Sequence, residues 1–327
     1  MSADRYSLTV RETFAAYRRD FFPDEPHVFD DRPADGTTPS VFRREHRWRN
    51  VLMPPDASDT QRRDILAAIA TTEHHRWFAS MASSQALCQS VFGSLKVMGQ
   101  IEALVGIAAE DGLPAFFATA NEASEPELEH TIRTLNEPRP TSIDAFFPGP
   151  HRVAVEVKFT EAEFGTCSRP RLTAKDPHFS RDACDGTLTR QRQRQHRCAL
   201  TEQNIQYWRY VPSLFRWMDD RDSSPCPLAR AYQLVRNLLA VSVEANGSVD
   251  TESAHVLVIY DDRNPAFHAG GKADIQWNQT VQALRYSTML RRISWQHLVG
   301  YFAQHEPLHW LVDALRRKYG IIGVRAG

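Results

Sequence analysis

Two charged side chains stand in the middle of an apolar run, Glu156 and Lys158 in VAVEVKF, residues 153–159. In an extended strand, positions i and i+2 share a face. This pair therefore points one way while Val155, Val157 and Phe159 point the other, into a core. Asp144 lies in a preceding β-rich run, TSIDAFF, and a Pro-Gly-Pro turn joins the two runs. Pairing of the two strands would bring Asp144 beside Glu156, so that two carboxylates and one amine converge at one end of a hairpin. Charge taken out of water is costly unless it is compensated. A divalent metal is one compensation. Two carboxylates plus water suit Mg²⁺, with Mn²⁺ as a substitute, because such an ion keeps several waters and takes phosphate as a co-ligand. It can acidify a bound water and clamp a phosphate oxygen, while the lysine stabilises the attacking hydroxide or the charge on phosphorus. A structural salt bridge on an edge strand is the competing reading.

The scarcity of lysine favours the chemical reading. Lysine occurs only at positions 96, 158, 175, 272 and 318, and every other basic residue is arginine. Where only positive charge is wanted, this chain uses arginine. An amine inside a strand is thus a specific choice, because lysine can shift its pKa and arginine cannot. Glu156-Val157-Lys158 is also the only acidic-X-Lys triplet in the chain.

The elements that must hold these residues can be read from pattern. The runs PELEHTIRTLN, TSIDAFF and HRVAVEVKF, separated by Pro/Gly turns, predict an antiparallel meander. SSQALCQSVFGSLKVMGQIEALVGIAAEDG, residues 83–112, predicts one long helix or two. TEQNIQYWRYVPSLFRWM and PLARAYQLVRNLLAVSVEAN are amphipathic helical patterns, HVLVIYDD is a strand, and ISWQHLVGYF and PLHWLVDALRRKYG predict a strand start and two helices. The chain divides into an N-terminal helical and irregular extension, residues 1–80, and an α/β domain, residues 81–327, with a Cys/Arg-rich insertion at about 165–225.

With 327 residues, 42% hydrophobic and 24% charged, the composition is that of an ordinary globular protein. A net charge of −1 does not advertise a nucleic-acid binder, but a local basic groove can hide within a neutral sum. No apolar run of about 18 residues is present, so no membrane span is expected. The N-terminal stretch lacks the apolar core of a signal peptide, and a cytoplasmic location is the expectation. Five cysteines do not suggest a disulfide scaffold.

Asp144, an eleven-residue gap and Glu156-Val157-Lys158 together resemble the PD-(D/E)XK nuclease superfamily, the restriction-endonuclease-like fold. TSIDAFF and VAVEVKFTEAEFG, with SSQALCQSVFG upstream and YQLVRNLLA downstream, look like a bacterial branch of restriction endonucleases. The resemblance covers roughly residues 80–300. It implies an α/β fold with a mixed β-sheet core flanked by helices. It also implies that Asp144 and Glu156 hold Mg²⁺, that Lys158 positions the attacking water, and that the substrate is DNA. Ile143 stands where the motif's name has proline. Partners the resemblance allows are a second copy of the chain, as a homodimer, and separate defence-system proteins. Two other functions stay open, a nucleic-acid-binding or repair-associated module of the same fold that does not cut, and an RNA-directed nuclease.

Further candidates surround this core. Glu129, on the strand before Asp144, can supply a third carboxylate or be a solvated strand charge. Glu161, in the TE that the resemblance includes after the lysine strand, can orient Lys158, touch the metal shell or be a surface acid. Gln233 is a polar residue in an apolar helix, where many relatives have a glutamine that faces the active site, and Arg236 lies on the same helical face, suited to a phosphate; a satisfied pair at the core edge is the alternative. In TRQRQRQHR, Arg190, Arg192 and Arg194 suit contacts to a phosphate backbone, with a solvated helix face as the alternative. Cys167, Cys184, Cys198 and Cys226, with His178 and His196, offer donors for structural Zn²⁺ or for an iron–sulfur cluster like those of some relatives. Buried thiols are the default.

Overall fold

The computed structural model describes residues 1–30, 37–167, 199–217 and 226–324. Strands β1 (Glu127–Ile132), β2 (Thr141–Phe147), β3 (Arg152–Val157), β4 (Ala254–Tyr260) and β5 (Leu290–Ser294) form one sheet in that order. The first three pair antiparallel, as short turns allow. β4 and β5 join in parallel. Parallel neighbours need long crossovers, and the β3–β4 connection carries α6 (Tyr207–Leu214) and α8 (Tyr232–Ser242), after the shorter α5 (Ala199–Glu202) and α7 (Pro227–Arg230).

Helices cover both faces of the sheet. On one face Val153, Val155 and Val157 pack with α1 (Ala3–Phe21), α10 (Trp295–Phe302) and α11 (His309–Tyr319). On the other, Ala154, Val256 and Val258 pack with α6, α8 and α9 (Lys272–Ala283). β4, AHVLVIY, is accordingly buried at every position, as a strand covered on both sides must be. This is the mixed sheet flanked by helices that the sequence resemblance implies. Among the described residues, no helix is long and apolar enough to cross a membrane.

The stretch 83–112 departs from expectation. It is continuously helical only over α3 (Ser84–Cys88), a π-type turn at Gln89–Gly93 and α4 (Ser94–Val97), with a separate short 3₁₀ turn at Ile101–Leu104. Gly99 takes a φ of 65°, and the Gln100 amide turns back to the Leu95 carbonyl. This glycine-terminated cap ends the helix before its apolar pattern does. The expected strand start and helix at 290–302 appear as β5 running directly into α10.

The N-terminal segment, which also carries α2 (Asp59–Ala67), is built into the same core as β3. Phe14 of α1 lies 6.2 Å from the Phe159 ring, and Tyr6, Val10, Phe29 and Phe42 join the cluster containing Val155 and Val157. Asn50 ties two of its turns together. Its amide donates to the carbonyls of Phe78 and Ser80 at 2.6 and 2.7 Å, and its Oδ1 accepts from the buried Lys318 ammonium at 2.7 Å. Burial pushes the Lys318 pKa well below the ordinary lysine value, so each bond to it matters. Asn50→Ala would leave two carbonyls and an amine without this partner. It should cost about 3 kcal/mol, readable as a lower midpoint in urea with an unchanged slope.

Candidate active site

The strand registers set three carboxylates level with one another. β1 pairs Leu128 with Ala145 and His130 with Ile143, which leaves Glu129 opposite Asp144. β2 pairs Ala145 with Val155, so one further step sets Asp144 opposite Glu156. The β2–β3 ladder ends just short of this level, while β1–β2 resumes beyond Glu129 and β3–β4 stays paired through Val157. Glu129 takes a φ of 50°, a left-handed conformation uncommon for a side chain other than glycine, asparagine or aspartate. The Val157 amide, beyond the last residue of β3 that pairs with β2, donates to Asp144 Oδ2 at 2.7 Å. The carboxylate thereby replaces a backbone partner at the place where the ladder opens into a cleft.

That cleft encloses about 750 Å³ and is lined by Glu129, Asp144, Glu156, Lys158, Glu161 and Gln233, among others. Glu156 and Lys158 are 3% and 5% exposed. Their charges meet at 3.0 Å, and α8 completes the pairing. Gln233 donates to Glu156 Oε1 and accepts from Lys158 Nζ, both at 2.7 Å. Asn237, one turn on, donates to Glu156 Oε2 at 2.7 Å. The sequence reading missed Asn237, although its i+4 spacing from Gln233 in an apolar helix was the available signal. The first turn of α8 is fixed in turn, because the Gln233 amide donates to the Phe164 carbonyl at 3.1 Å.

Where β3 leaves the sheet, side chains take over its carbonyls. Trp295 donates to Lys158 O at 3.3 Å, Tyr6 to Phe159 O at 2.8 Å, and Asn264 to Phe159 O and Glu161 O at 3.1 and 2.9 Å. Glu161 folds back to accept from the Phe159 amide and from Ser84, both at 2.7 Å. Lys158 is therefore held from both ends. Glu129 accepts from Gln85 and Ser142, each at 2.6 Å, and so lies in the cleft rather than in solvent. Arg236 lines the same cleft, its guanidinium 5.7 Å from the Tyr232 ring.

Other candidates fall elsewhere. Cys167 and Cys226 are buried in the hydrophobic cluster on the α8 face. Cys184, Cys198, His178, His196, Arg190, Arg192 and Arg194 lie outside the described residues. Asp261, at the end of β4, is saturated by Tyr6, Arg263 and Gln296 and serves the fold.

The electrostatics of the cleft are lopsided. Burial, then Glu156 and Glu129, push the Asp144 pKa well above the ordinary carboxylate range, against the Val157 amide and Lys158. Burial and nearby carboxylates also raise Glu129, despite its two hydrogen bonds. Burial alone would lower Lys158, but Glu156, Glu161 and Asp144 outweigh it and hold the amine above its ordinary value. Lys158 is thus a fixed cation rather than a proton acceptor. Among the described residues, nothing donates to Asp144 Oδ1, and no group of three or more Asp, Glu, His or Cys side chains is gathered to hold a metal. Two opposed carboxylates, one carrying an uncompensated oxygen, fit a hard divalent cation that keeps most of its waters.

A carboxyl whose native pKa lies above its unfolded value keeps a proton in the native state that the unfolded chain releases. Stability then falls as pH rises from the ordinary carboxylate range through the native pKa. Asp144→Asn keeps an acceptor for Val157 and removes that penalty. In metal-free buffer the variant should melt a few degrees above the wild type at pH 8, with the gain shrinking toward pH 4. Scanning calorimetry at several pH values would measure it.

The family model for restriction endonucleases associating with ARP, REase-ARP, matches residues 15–320. No curated protein and no solved structure matches the chain. The matched span takes in every residue lining the cleft, from Pro39 to Arg236. The match spans most of the chain, and this chain belongs to the REase-ARP family, restriction endonucleases associating with ARP.

Proposed function

We propose that this chain is a restriction-type endonuclease that hydrolyses phosphodiester bonds of DNA with Mg²⁺, or Mn²⁺ in its place, held by Asp144 and Glu156. The observation that carries this reading is the buried Glu156–Lys158 pair, tied to α8 on one face of an inner strand and lining a cleft. When bound, the metal would supply Lewis-acid activation of water and neutralisation of phosphate charge. The remaining work falls to the chain. Asp144 and Glu156 present hard oxygen donors from two neighbouring strands. Lys158, kept protonated by its carboxylate neighbours, offers a fixed positive charge to the attacking water and to the charge growing on the phosphate oxygens. Gln233 and Asn237 orient Glu156, and Gln233 also orients Lys158. As water oxygen bonds to phosphorus, the phosphorus–oxygen bond opposite it breaks. Membership of an endonuclease family supports DNA as substrate, and the family's description supports a separate ARP partner.

Plasmid DNA incubated with the protein in Mg²⁺ should be nicked or linearised, and EDTA should stop it. Lys158→Ala should lower the rate by about a hundredfold or more. Lys158→Arg should not restore it, because a planar fork cannot replace a compact ammonium at this position. Gln233→Ala should fall about tenfold or more with the fold intact, since it positions rather than reacts. DNA left whole by the wild type in Mg²⁺ and Mn²⁺, while RNA is cut or DNA is merely bound, would overturn the reading.

A further inference from the structure

A second hollow, of about 350 Å³, adjoins the catalytic cleft and shares His75 with it. Arg44, Arg47, Arg76 and His74 also line it. Arg44 and Arg47 come from a 3₁₀ segment, Arg44–Asn50, where residues three apart eclipse and point the same way. Arg76 comes from the turn facing that segment. The two pieces are clamped to each other. Val41 bridges to Ser80, the Phe42 amide donates to the Ala79 carbonyl at 2.9 Å, and Asn50 holds the carbonyls of Phe78 and Ser80. Three arginines are therefore carried by clamped backbone around one concavity.

None of these three arginines makes an ion pair among the described residues, in contrast to Arg49, which pairs with Glu25, and Arg152, which pairs with Glu244 and Asp250. Like charges gathered without acids repel one another, and an anionic ligand would relieve that repulsion. Trp77 stands beside them on the wall of the catalytic cleft, 51% exposed, with the Arg76 guanidinium 5.1 Å from its ring. An exposed indole at the mouth of a polar cleft suits the flat face of a base. The hollow is also linked to the catalytic carboxylates. Gln85 accepts from the His75 amide at 2.7 Å and donates to the Glu73 carbonyl and to Glu129 at 3.0 and 2.6 Å.

We propose that this hollow holds the phosphodiester backbone of the substrate strand beside the scissile phosphate, while Trp77 stacks on an unpaired base at the cleft entrance. The proposal rests on the nuclease reading for the identity of the strand, but not on the hydrolysis itself. Phosphate contacts fix register without reading sequence, and stacking is sequence-tolerant. The hollow would therefore position a strand and favour DNA that is single-stranded or locally opened.

The test is fluorescence anisotropy of labelled single-stranded and duplex oligonucleotides in EDTA, at several salt concentrations. It compares the wild-type chain with Arg44→Ala/Arg47→Ala/Arg76→Ala, with Trp77→Ala and with the control Arg316→Ala, which lines neither the hollow nor the cleft, alongside plasmid cleavage in Mg²⁺. The triple variant should bind at least about tenfold more weakly, with a salt slope shallower by about 2, the loss of three phosphate contacts to a single strand. Trp77→Ala should weaken single-strand binding by about tenfold and duplex binding much less, and Arg316→Ala should match the wild type. If the triple variant melts early, single Arg44→Ala and Arg76→Ala variants, each on an exposed residue, should each give part of the same slope change. Arginine-dependent binding without Mg²⁺-dependent cleavage supports the hollow and sinks the hydrolytic reading. Cleavage by a wild type whose binding and slope the arginine variants share overturns the hollow alone. No binding of either oligonucleotide by the wild type overturns the hollow, whatever the cleavage result.

Discussion

A carboxylate and an ammonium buried two residues apart on an inner strand cannot stand alone. Each would cost several kcal/mol if left unpaired out of water. Their mutual contact at 3.0 Å covers part of that cost, and amides one helical turn apart on α8, Gln233 and Asn237, complete it. Much of the surrounding architecture follows from this requirement. α8 must lie against β3 on the side of Ala154 and Glu156. The loop after β3 must carry the Phe164 carbonyl to the first turn of α8. The strand end must be held by Trp295, Tyr6 and Asn264 so that Lys158 does not swing away. The site is expensive in stability and rigid as a result, which is the combination a preorganised electrostatic site needs.

The opening of the ladder beside that pair is the second constraint. Strands that stayed paired through Asp144 and Glu156 would bond to one another and leave no cleft. Instead the Asp144 carboxylate takes the Val157 amide, and Glu129 adopts a left-handed backbone with its carboxylate turned to Gln85 and Ser142. Strain of this kind persists only where its surroundings over-determine it. The surroundings here are the turn at residues 73–75 and α3, so the N-terminal segment shapes the cleft as well as covering the core.

Much of this was legible in the sequence, because it depends on period and proximity. Alternation in TSIDAFF and VAVEVKF placed Asp144 and Glu156 on adjoining strands, and the short turn between them set them close. HVLVIYDD read as a strand, and the near-continuous apolar run after His255 fits the burial of β4 on both faces. What was not legible depends on contacts distant in sequence. Nothing local in PELEHTI tells that Glu129 is withdrawn from solvent, because Gln85 and Ser142 do that from other elements. Asn237 was within reach, four residues after Gln233, but an asparagine in an apolar helix reads equally as a buried polar residue satisfied by its own backbone. The apolar pattern beyond residue 98 looked helical because buried loops are apolar too. Gly99 decided the matter by a backbone conformation that composition does not reveal.

The central claim is that the Asp144–Glu156 pair is an incomplete cation site, and direct binding tests it without reference to cleavage. Mn²⁺ would be titrated into the wild type and into Glu156→Gln, with free ion followed by electron paramagnetic resonance and the fold of both proteins checked by melting. Saturable binding by the wild type that Glu156→Gln loses or weakens at least about tenfold is the expected result. No saturable binding by the wild type, or equal binding by both proteins, would contradict the claim and leave the buried pair as a purely structural feature.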